Sequence, residues 1–410
     1  MISSVISIGD ELLIGQTINT NASFIASELN KAGIAVKSIL TIADKREDIL
    51  DALQQESGQS GIVLITGGLG PTRDDITKNA LCEYFGSKLV MHKASLENIR
   101  KLFYKRGLKI TGVNRDQALV PDNCSVIKNS LGTAPGMWFQ KNNTHYISMP
   151  GVPFEMKAMM TGEIIPRLIK LKISKPIVHK TILTTGIGES ALAELISEWE
   201  NKLPETIKLA YLPEPGIVKL RLSCYEAEDN KSIRAVTSEI KKLKKLIPGL
   251  IFGSETDTLQ SVTGKLLLKK QATVSTAESC TGGFIAHLFT SVPGSSKYFK
   301  GAVIAYDNAV KTGVLGVDKK LIEKHGAVSE EVVRAMASGV RKLMKTDYAL
   351  AASGIAGPDG GTPEKPVGTV WIALATPEVI VTQKLLLGGD RERNIRRASL
   401  AALNMLRKQL

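Results

Sequence analysis

Thr276-Ala277-Glu278-Ser279-Cys280-Thr281-Gly282-Gly283 stands between a short aliphatic run at 272–276 and an apolar, helix-periodic run at 284–289. A buried strand that breaks at small residues and glycines and re-forms as a helix is the basic unit of a parallel α/β domain. Working outward, further aliphatic strands are predicted at 302–306, 348–353, 368–374 and 379–387. Residues 329–344 place Val332, Val333, Met336, Val340 and Leu343 on one helical face, with acidic residues in the first turn. The turn itself is predicted to cradle a phosphate, because its backbone N–H groups at a helix start can approach an anion closely. Ser279, Thr281 and Gly282 are its candidate contacts, and the plainer alternative is a capped strand-to-helix turn.

The same alternation recurs at the other end of the chain. Strands are predicted at 5–8, 35–42, 62–66 and 145–149, and a helix over 21–31 with Phe24, Ile25 and Leu29 on one stripe, stopping at Gly33. Between the two α/β regions the pattern changes. A strand at 181–185, a helix at 191–199, a hairpin around Pro213-Glu214-Pro215-Gly216, a lysine-rich helix and a strand at 250–253 make a small α+β unit. Gly186-Ile187-Gly188 there matches no nucleotide fingerprint and is taken as a plain turn. The expected fold class is therefore α/β: two three-layer α/β domains, 1–170 and 253–410, joined by a small α+β domain at 171–252.

Composition narrows the chemistry. The chain has 410 residues, too many for one typical core. Cys82, Cys124, Cys224 and Cys280 form no Cys-x-x-Cys pair and no metal-ligand spacing with histidine, which argues against a zinc site or a disulfide framework. The start carries no basic leader and no apolar run spans a bilayer, so a soluble, cytoplasmic protein without a membrane partner is expected. The net charge of +13 suits phosphorylated metabolites as well as nucleic acid. Because the basic residues are dispersed, apart from Lys241-Lys242-Leu243-Lys244-Lys245, nucleic-acid binding is the less favoured of the two.

Four further stretches carry candidate chemistry. Pro293-Gly294-Ser295-Ser296 is a turn, and Tyr306-Asp307-Asn308-Ala309-Val310-Lys311 leaves a strand for a helix. Ser296, Tyr306 and Lys311 are what an amide hydrolase without metal or histidine needs, since a desolvated lysine can take a serine's proton. Each also has a bland reading, as helix cap, half-buried core and solvated charge. A glycine-rich strand end from Ser353-Gly354 to Gly361 and Arg391 at the start of the last helix offer donors for a nucleotide. In the first domain, Gly67, Gly68, Gly70 and Thr72 form a second glycine loop. Asp10, Glu11, Asp74 and Asp75 are candidate ligands for a hard divalent cation against phosphate oxygens, or, for Asp74 and Asp75, only favourable charges in a first helical turn.

The ordered blocks Ala277–Gly283, Gly294-Ser295-Ser296, Tyr306-x-Asn308-x-x-Lys311, Gly326–Ser329 and Ser353-Gly354-Ile355-Ala356-Gly357-Pro358-x-Gly360-Gly361 resemble the carboxy-terminal domain of the CinA competence-damage family, which also occurs alone as the PncC-type nicotinamide-nucleotide amidase. The amino-terminal glycine loop and Gly9-Asp10-Glu11 resemble the molybdopterin-binding fold of MoaB and MogA. The blocks 129–136 and 149–156 match its CinA version, so the resemblance covers the whole chain.

The resemblance implies cofactor-free hydrolysis of nicotinamide mononucleotide (NMN) to nicotinate mononucleotide and ammonia. By motif, Ser296 would be the nucleophile, Lys311 its base, Tyr306 a proton-transfer partner and Ser279 a substrate contact, with Ser353, Gly354 and Arg391 holding the nucleotide. Cys280 is the rival nucleophile. For the first domain it implies an ADP-ribose pyrophosphatase dependent on a divalent metal (Mg, Co or Mn) and stimulated by potassium. For the middle segment it implies a KH-type domain, here without the Gly-x-x-Gly loop used for RNA. A homodimer is expected. The alternatives are a competence-related nucleic-acid-binding protein and a molybdopterin-binding protein.

Overall fold

The computed structural model describes residues 2–72, 75–105, 107–171, 177–225 and 229–410, the side chains of 229 and 230 excepted. Contacts divide the chain into two compact units, Met1–Val178 with Cys224–Ile233, and His179–Ser223 with Arg234–Leu410.

The first unit is built on β1 (Ile2–Ile8), β2 (Ala35–Ile42), β3 (Ile62–Thr66), β6 (Ser125–Ile127), β7 (Gly136–Lys141) and β8 (Thr144–Met149), after a separate short pair β4 (Leu89–Met91) and β5 (Leu119–Pro121). The sheet order is β2-β1-β3-β8-β7-β6. Its first four strands run parallel and its last two antiparallel. Alternate side chains of β1 feed opposite cores, Val5 beneath helix α1 (Thr20–Lys31) and Ile6 and Ile8 on the other face. Helix α1 starts where the Asn19 side chain accepts from Ala22 N at 3.0 Å, and it buries Ala22, Ile25 and Leu29. Helix α2 (Thr77–Phe85) follows the glycine loop and buries Ala80 and Leu81 in the second core.

In the second unit, β9 (Val178–Thr185), β10 (Ile207–Glu214), β11 (Ile217–Cys224) and β12 (Ile251–Ser254) form a sheet ordered β10-β11-β9-β12. The expected hairpin is there, its two-residue turn ending in Gly216 at φ 84°. This sheet shares its core with residues near the end of the chain: Leu183 and Phe252 pack in one cluster with Leu400, Leu403 and Leu406. The Arg407 guanidinium donates to Gly249 O at 3.1 Å and Ile251 O at 3.4 Å. The middle segment is thus an α+β layer attached to the carboxy-terminal domain by buried apolar contact.

That domain is a sheet β14-β13-β15-β16-β17 of β13 (Val274–Glu278), β14 (Phe299–Ile304), β15 (Tyr348–Gly354), β16 (Thr369–Ala375) and β17 (Ile380–Leu386). Strands β14, β13 and β15 are parallel, and β16 and β17 alternate direction. Helices α3 (Leu259–Lys270), α4 (Phe284–Thr290) and α7 (Arg391–Gln409) cover one face. After the short α5 (Asn308–Gly313), α6 (Glu330–Met344) covers the other. Val332, Val333, Met336 and Val340 of α6 are fully buried, while Leu343 in its last turn stays 49% exposed. β14 begins three residues before its predicted start and ends at Ile304, which decides where two candidate residues lie.

Candidate active site

Because β13, β14 and β15 are parallel, the residues that follow each of them meet along one sheet edge, the place where α/β folds bind ligands. Ser279 follows β13, Tyr306 and Lys311 follow β14, and Ser353 and Gly354 end β15. β17 returns to the same edge, so α7 and Arg391 start there too. Two motifs far apart in sequence join directly: Arg391 donates through Nη2 to Tyr306 Oη at 2.9 Å and through Nη1 to Gly357 O at 2.6 Å.

Lys311 is 1% exposed. Its Nζ donates to Ala305 O at 2.8 Å and Tyr306 O at 3.2 Å. Burial lowers its pKa, against the opposing pull of Asp307 and Cys280. Two carbonyls orient an amine that favours its neutral, proton-accepting form more than an exposed lysine does. The register Glu278↔Ile304, with Ala305 N donating to Glu278 O at 2.7 Å, sets Ser279 beside Ala305, roughly 5 Å across the sheet. The Ser279 hydroxyl makes no hydrogen bond to another described residue.

Ser296 does not join them. It is exposed in the turn Ser295–Lys297 that precedes β14, and Phe299↔Val274 fixes that turn at the opposite edge of the sheet. The six residues of β14 put about 20 Å between Ser296 and the Lys311 amine, against about 3 Å for proton transfer. Cys280 is on the right edge, but burial pushes its thiol up to about 12 and removes the thiolate that a nucleophile requires.

The predicted phosphate cradle is filled from within. Glu278 is fully buried. Its carboxylate accepts from Gly283 N at 3.1 Å, Ile285 N at 2.9 Å and Ala286 N at 2.8 Å, the free donors of α4. Thr281 Oγ1 at 2.8 Å and Thr276 Oγ1 at 3.0 Å complete the set. Thr281 and Gly282 are therefore occupied internally rather than by substrate: the Thr281 hydroxyl faces Glu278, and Gly282 N donates to Ser279 O at 3.0 Å. Ser353 and Gly354 have internal contacts as well. The Ser353 hydroxyl donates to Ala327 O at 2.7 Å, and a Cβ at Gly354 would lie 2.6 Å from Val370. Sequence reasoning missed Glu278, although an acid just before a glycine-rich helix start is a visible signal. It also missed Asn394, buried with Nδ2 at 3.1 Å from both Ala356 O and Gly389 O, which ties the glycine loop to α7.

In the first unit, Gly67, Gly68 and Gly70 line a cleft of about 360 Å³ with Glu11, Asp44 and Asp75. Gly67 and Gly68 have φ of 118° and 62°, and a Cβ on either would come within 2.1 Å of Ile8 O or Thr77 Oγ1. Here too a carboxylate faces its own loop: Asp75 accepts from Gly70 N at 2.7 Å, Thr72 N at 2.8 Å and Thr72 Oγ1 at 2.5 Å. Thr72 therefore braces the loop, and Asp75 is not a free metal ligand. Asp74 lies outside the described residues.

Among the described residues no three acidic, histidine or cysteine side chains form a ready metal cage. Asp10 and Asp44 instead exchange backbone-to-carboxylate bonds of 3.2 and 3.3 Å. Burial, helped by Asp10, Glu11 and Asp75, raises the Asp44 pKa. Such a rim fits a cation that takes one or two carboxylates and completes its shell with phosphate and water. Asp44 was missed, and its signal is an acid two residues past the end of β2. Lys78 in α2 was missed as well: half-buried, with Nζ donating to Gln117 O at 2.8 Å, it is lowered to about 8 by desolvation.

Family profiles match three consecutive stretches: a probable molybdopterin binding domain over 4–170, a damage-inducible protein CinA KH domain over 179–253 and a CinA C-terminal domain over 256–410. A CinA-like protein of Flavobacterium psychrophilum is 49% identical over 100% of this chain and 99% of its own. Another, of Cytophaga hutchinsonii, is 48% identical over 100% and 98%. A solved CinA superfamily structure from Klebsiella pneumoniae is 32% identical over 37% of this chain and 98% of its own, with a TM-score of 0.36. The chain belongs to the CinA family.

Proposed function

We propose that the second unit hydrolyses the carboxamide of NMN to nicotinate mononucleotide and ammonia, with Ser279 as nucleophile and Lys311 as general base. The observation that carries this is the buried Lys311 amine, biased toward its neutral form, on the same sheet edge as an unengaged serine hydroxyl. Lys311 takes the Ser279 proton as Oγ attacks the carboxamide carbon, then returns it to the departing nitrogen, which leaves as ammonia. Water, deprotonated by the same lysine, cleaves the acyl ester and releases the acid. Tyr306 and Arg391, tied together at 2.9 Å, present a hydroxyl and a guanidinium to the substrate phosphate. No metal or organic cofactor enters these steps. Incubating the protein with NMN and assaying ammonia tests the reading; no ammonia from NMN, with the protein folded, would contradict it.

For the first unit the proposed activity is cleavage of ADP-ribose to AMP and ribose 5-phosphate. The cleft beside Gly67 and Gly68, on the part of the loop that Asp75 does not engage, would receive the pyrophosphate, and one or two of Asp10, Glu11 and Asp44 would hold a divalent metal (Mg, Co or Mn), which would supply charge neutralisation at the phosphates; potassium is a candidate activator. A second reading, pterin binding, is favoured by the match of 4–170 to a probable molybdopterin binding domain. AMP formation from ADP-ribose supports the first reading, and a copurifying pterin without AMP formation supports the second. No helix among the described residues is long and apolar enough to cross a membrane. We place both activities in a cytoplasmic homodimer, an assembly that light scattering can test.

A further inference from the structure

One side chain on the terminal helix holds the backbone on both sides of the Arg391–Gly357 contact. The buried row Asn394, Ala398, Ala402 and Leu406 along α7 is apolar except at its first member. Asn394 is fully buried, and its Nδ2 donates to Ala356 O and to Gly389 O, each at 3.1 Å. An amide nitrogen carries two N–H groups, so both are used. Its Oδ1 is buried without a partner, a state that native folds rarely tolerate. What the amide contributes at this position is therefore its two donors.

The two carbonyls flank the groups that set Arg391. Ala356 is joined directly to Gly357, whose carbonyl receives Arg391 Nη1 at 2.6 Å. Gly357 has φ 95°, and a Cβ there would lie 2.7 Å from Val367. Gly389, at φ 138°, lies two residues before Arg391 and next to Asp390, which caps α7 by accepting from Arg393 N at 2.9 Å. Glycine leaves the backbone most free at both places, so a clamp on the neighbouring carbonyls restricts them most. The other Arg391 nitrogen, Nη2, donates to Tyr306 Oη at 2.9 Å. Held at two nitrogens, the planar guanidinium keeps one orientation and still has N–H donors to spare for a ligand.

We propose that Asn394 is a positioning residue for phosphate selection: by clamping Ala356 and Gly389 it sets the Arg391 guanidinium, and with it the preference for a phosphorylated nucleotide over the matching nucleoside. Asn394 touches no substrate and acts only through Arg391. The proposal rests on the reading of this sheet edge as a nucleotide deamidase, and the experiment separates the two. Ammonia release from NMN and from nicotinamide riboside, which lacks the phosphate, is measured with the full-length wild type, Asn394→Ala, Arg391→Ala and the double variant, each checked for folding by circular dichroism. The wild-type kcat/KM is expected to favour NMN by at least about a hundredfold. Asn394→Ala reduces that preference by about tenfold through KM for NMN, with the constants for the riboside changed by less than about twofold. In the Arg391→Ala background Asn394→Ala has no further effect on the preference, because two residues that serve one interaction are not additive. If Asn394→Ala does not fold, Asn394→Ser, which keeps one donor, takes its place under the same criteria. Equal losses on both substrates, or a preference that falls further in the double variant than in Arg391→Ala, overturn the positioning role and leave Asn394 as a structural clamp. A wild type that hydrolyses both substrates equally well overturns phosphate selection, and this proposal, while the deamidase reading stands. No ammonia from either substrate overturns that reading and the proposal with it.

Discussion

Glu278→Gln keeps the shape of the side chain that fills the α4 helix start and removes its charge and one acceptor. Oε2 accepts from Thr281 Oγ1, Gly283 N and Ile285 N, and Oε1 from Thr276 Oγ1 and Ala286 N. A glutamine oxygen will take the three-donor side, which leaves its NH2 facing the Ala286 N–H. That buried N–H then has no acceptor, a loss of about 1–3 kcal/mol. The three retained bonds fall from charge-assisted to neutral strength, each weaker by about 0.5–1 kcal/mol, and glutamine's easier burial returns part of the total. The net destabilisation is about 3 kcal/mol, a large share of a typical domain's 5–15 kcal/mol, the latter range being approximate. Urea unfolding followed by circular dichroism reads it, and a slope of about 2–3 kcal/mol/M converts it to a midpoint lower by about 1–1.5 M. A midpoint unchanged within about 0.3 M, together with tighter NMN binding, would refute the reasoning. It would mean that the helix start is an anion site for substrate and that Glu278 merely competes for it.

The burial of Lys311 sets a pH dependence. Its folded pKa is lowered, so the base is protonated and idle at low pH, and kcat should rise with pH through that lowered value and level off above it. Lys311→Met should abolish turnover at every pH, and a residual profile of wild-type shape would contradict the assignment. Cys280, pushed up to about 12, should resist alkylation by iodoacetamide at neutral pH, and Cys280→Ala should keep at least about half of the activity; mass spectrometry and ammonia release check the two. Arg391→Lys replaces a two-pronged donor to Gly357 O and Tyr306 Oη by a single ammonium. KM for NMN should rise about tenfold with kcat changed less, and steady-state kinetics showing the reverse would move Arg391 from binding to chemistry.

Strands made of continuous aliphatic residues were legible. The expected strand at 62–66 coincides with β3 (Ile62–Thr66), all five residues of which are buried, because a buried parallel strand leaves an apolar run; the one at 35–42 coincides with β2 (Ala35–Ile42), an edge strand with Lys37 and Ile39 exposed, where the run is interrupted. What stayed hidden was which edge of the sheet a residue faces. Ser296 and Tyr306 are ten positions apart, and that separation contains a whole strand, so nearness in sequence meant opposite ends in space. Nor could the spacing of a glycine-rich turn show that the chain's own acid would occupy it. At both such turns the donors face a carboxylate, Glu278 or Asp75, contributed from within a few residues. The attachment of the middle segment was invisible for a related reason: nothing in the sequence around Leu400 and Leu403 on α7 names their partners, and only the packed structure assigns Leu183 and Phe252 to the same core.

The central claim is that the chemistry belongs to the sheet edge bearing Ser279 and Lys311. Ammonia release from NMN by wild type, Ser279→Ala and Ser296→Ala tests it directly. Activity should be lost by at least about a thousandfold in Ser279→Ala and essentially retained in Ser296→Ala. An active Ser279→Ala protein beside an inactive, folded Ser296→Ala protein would contradict it.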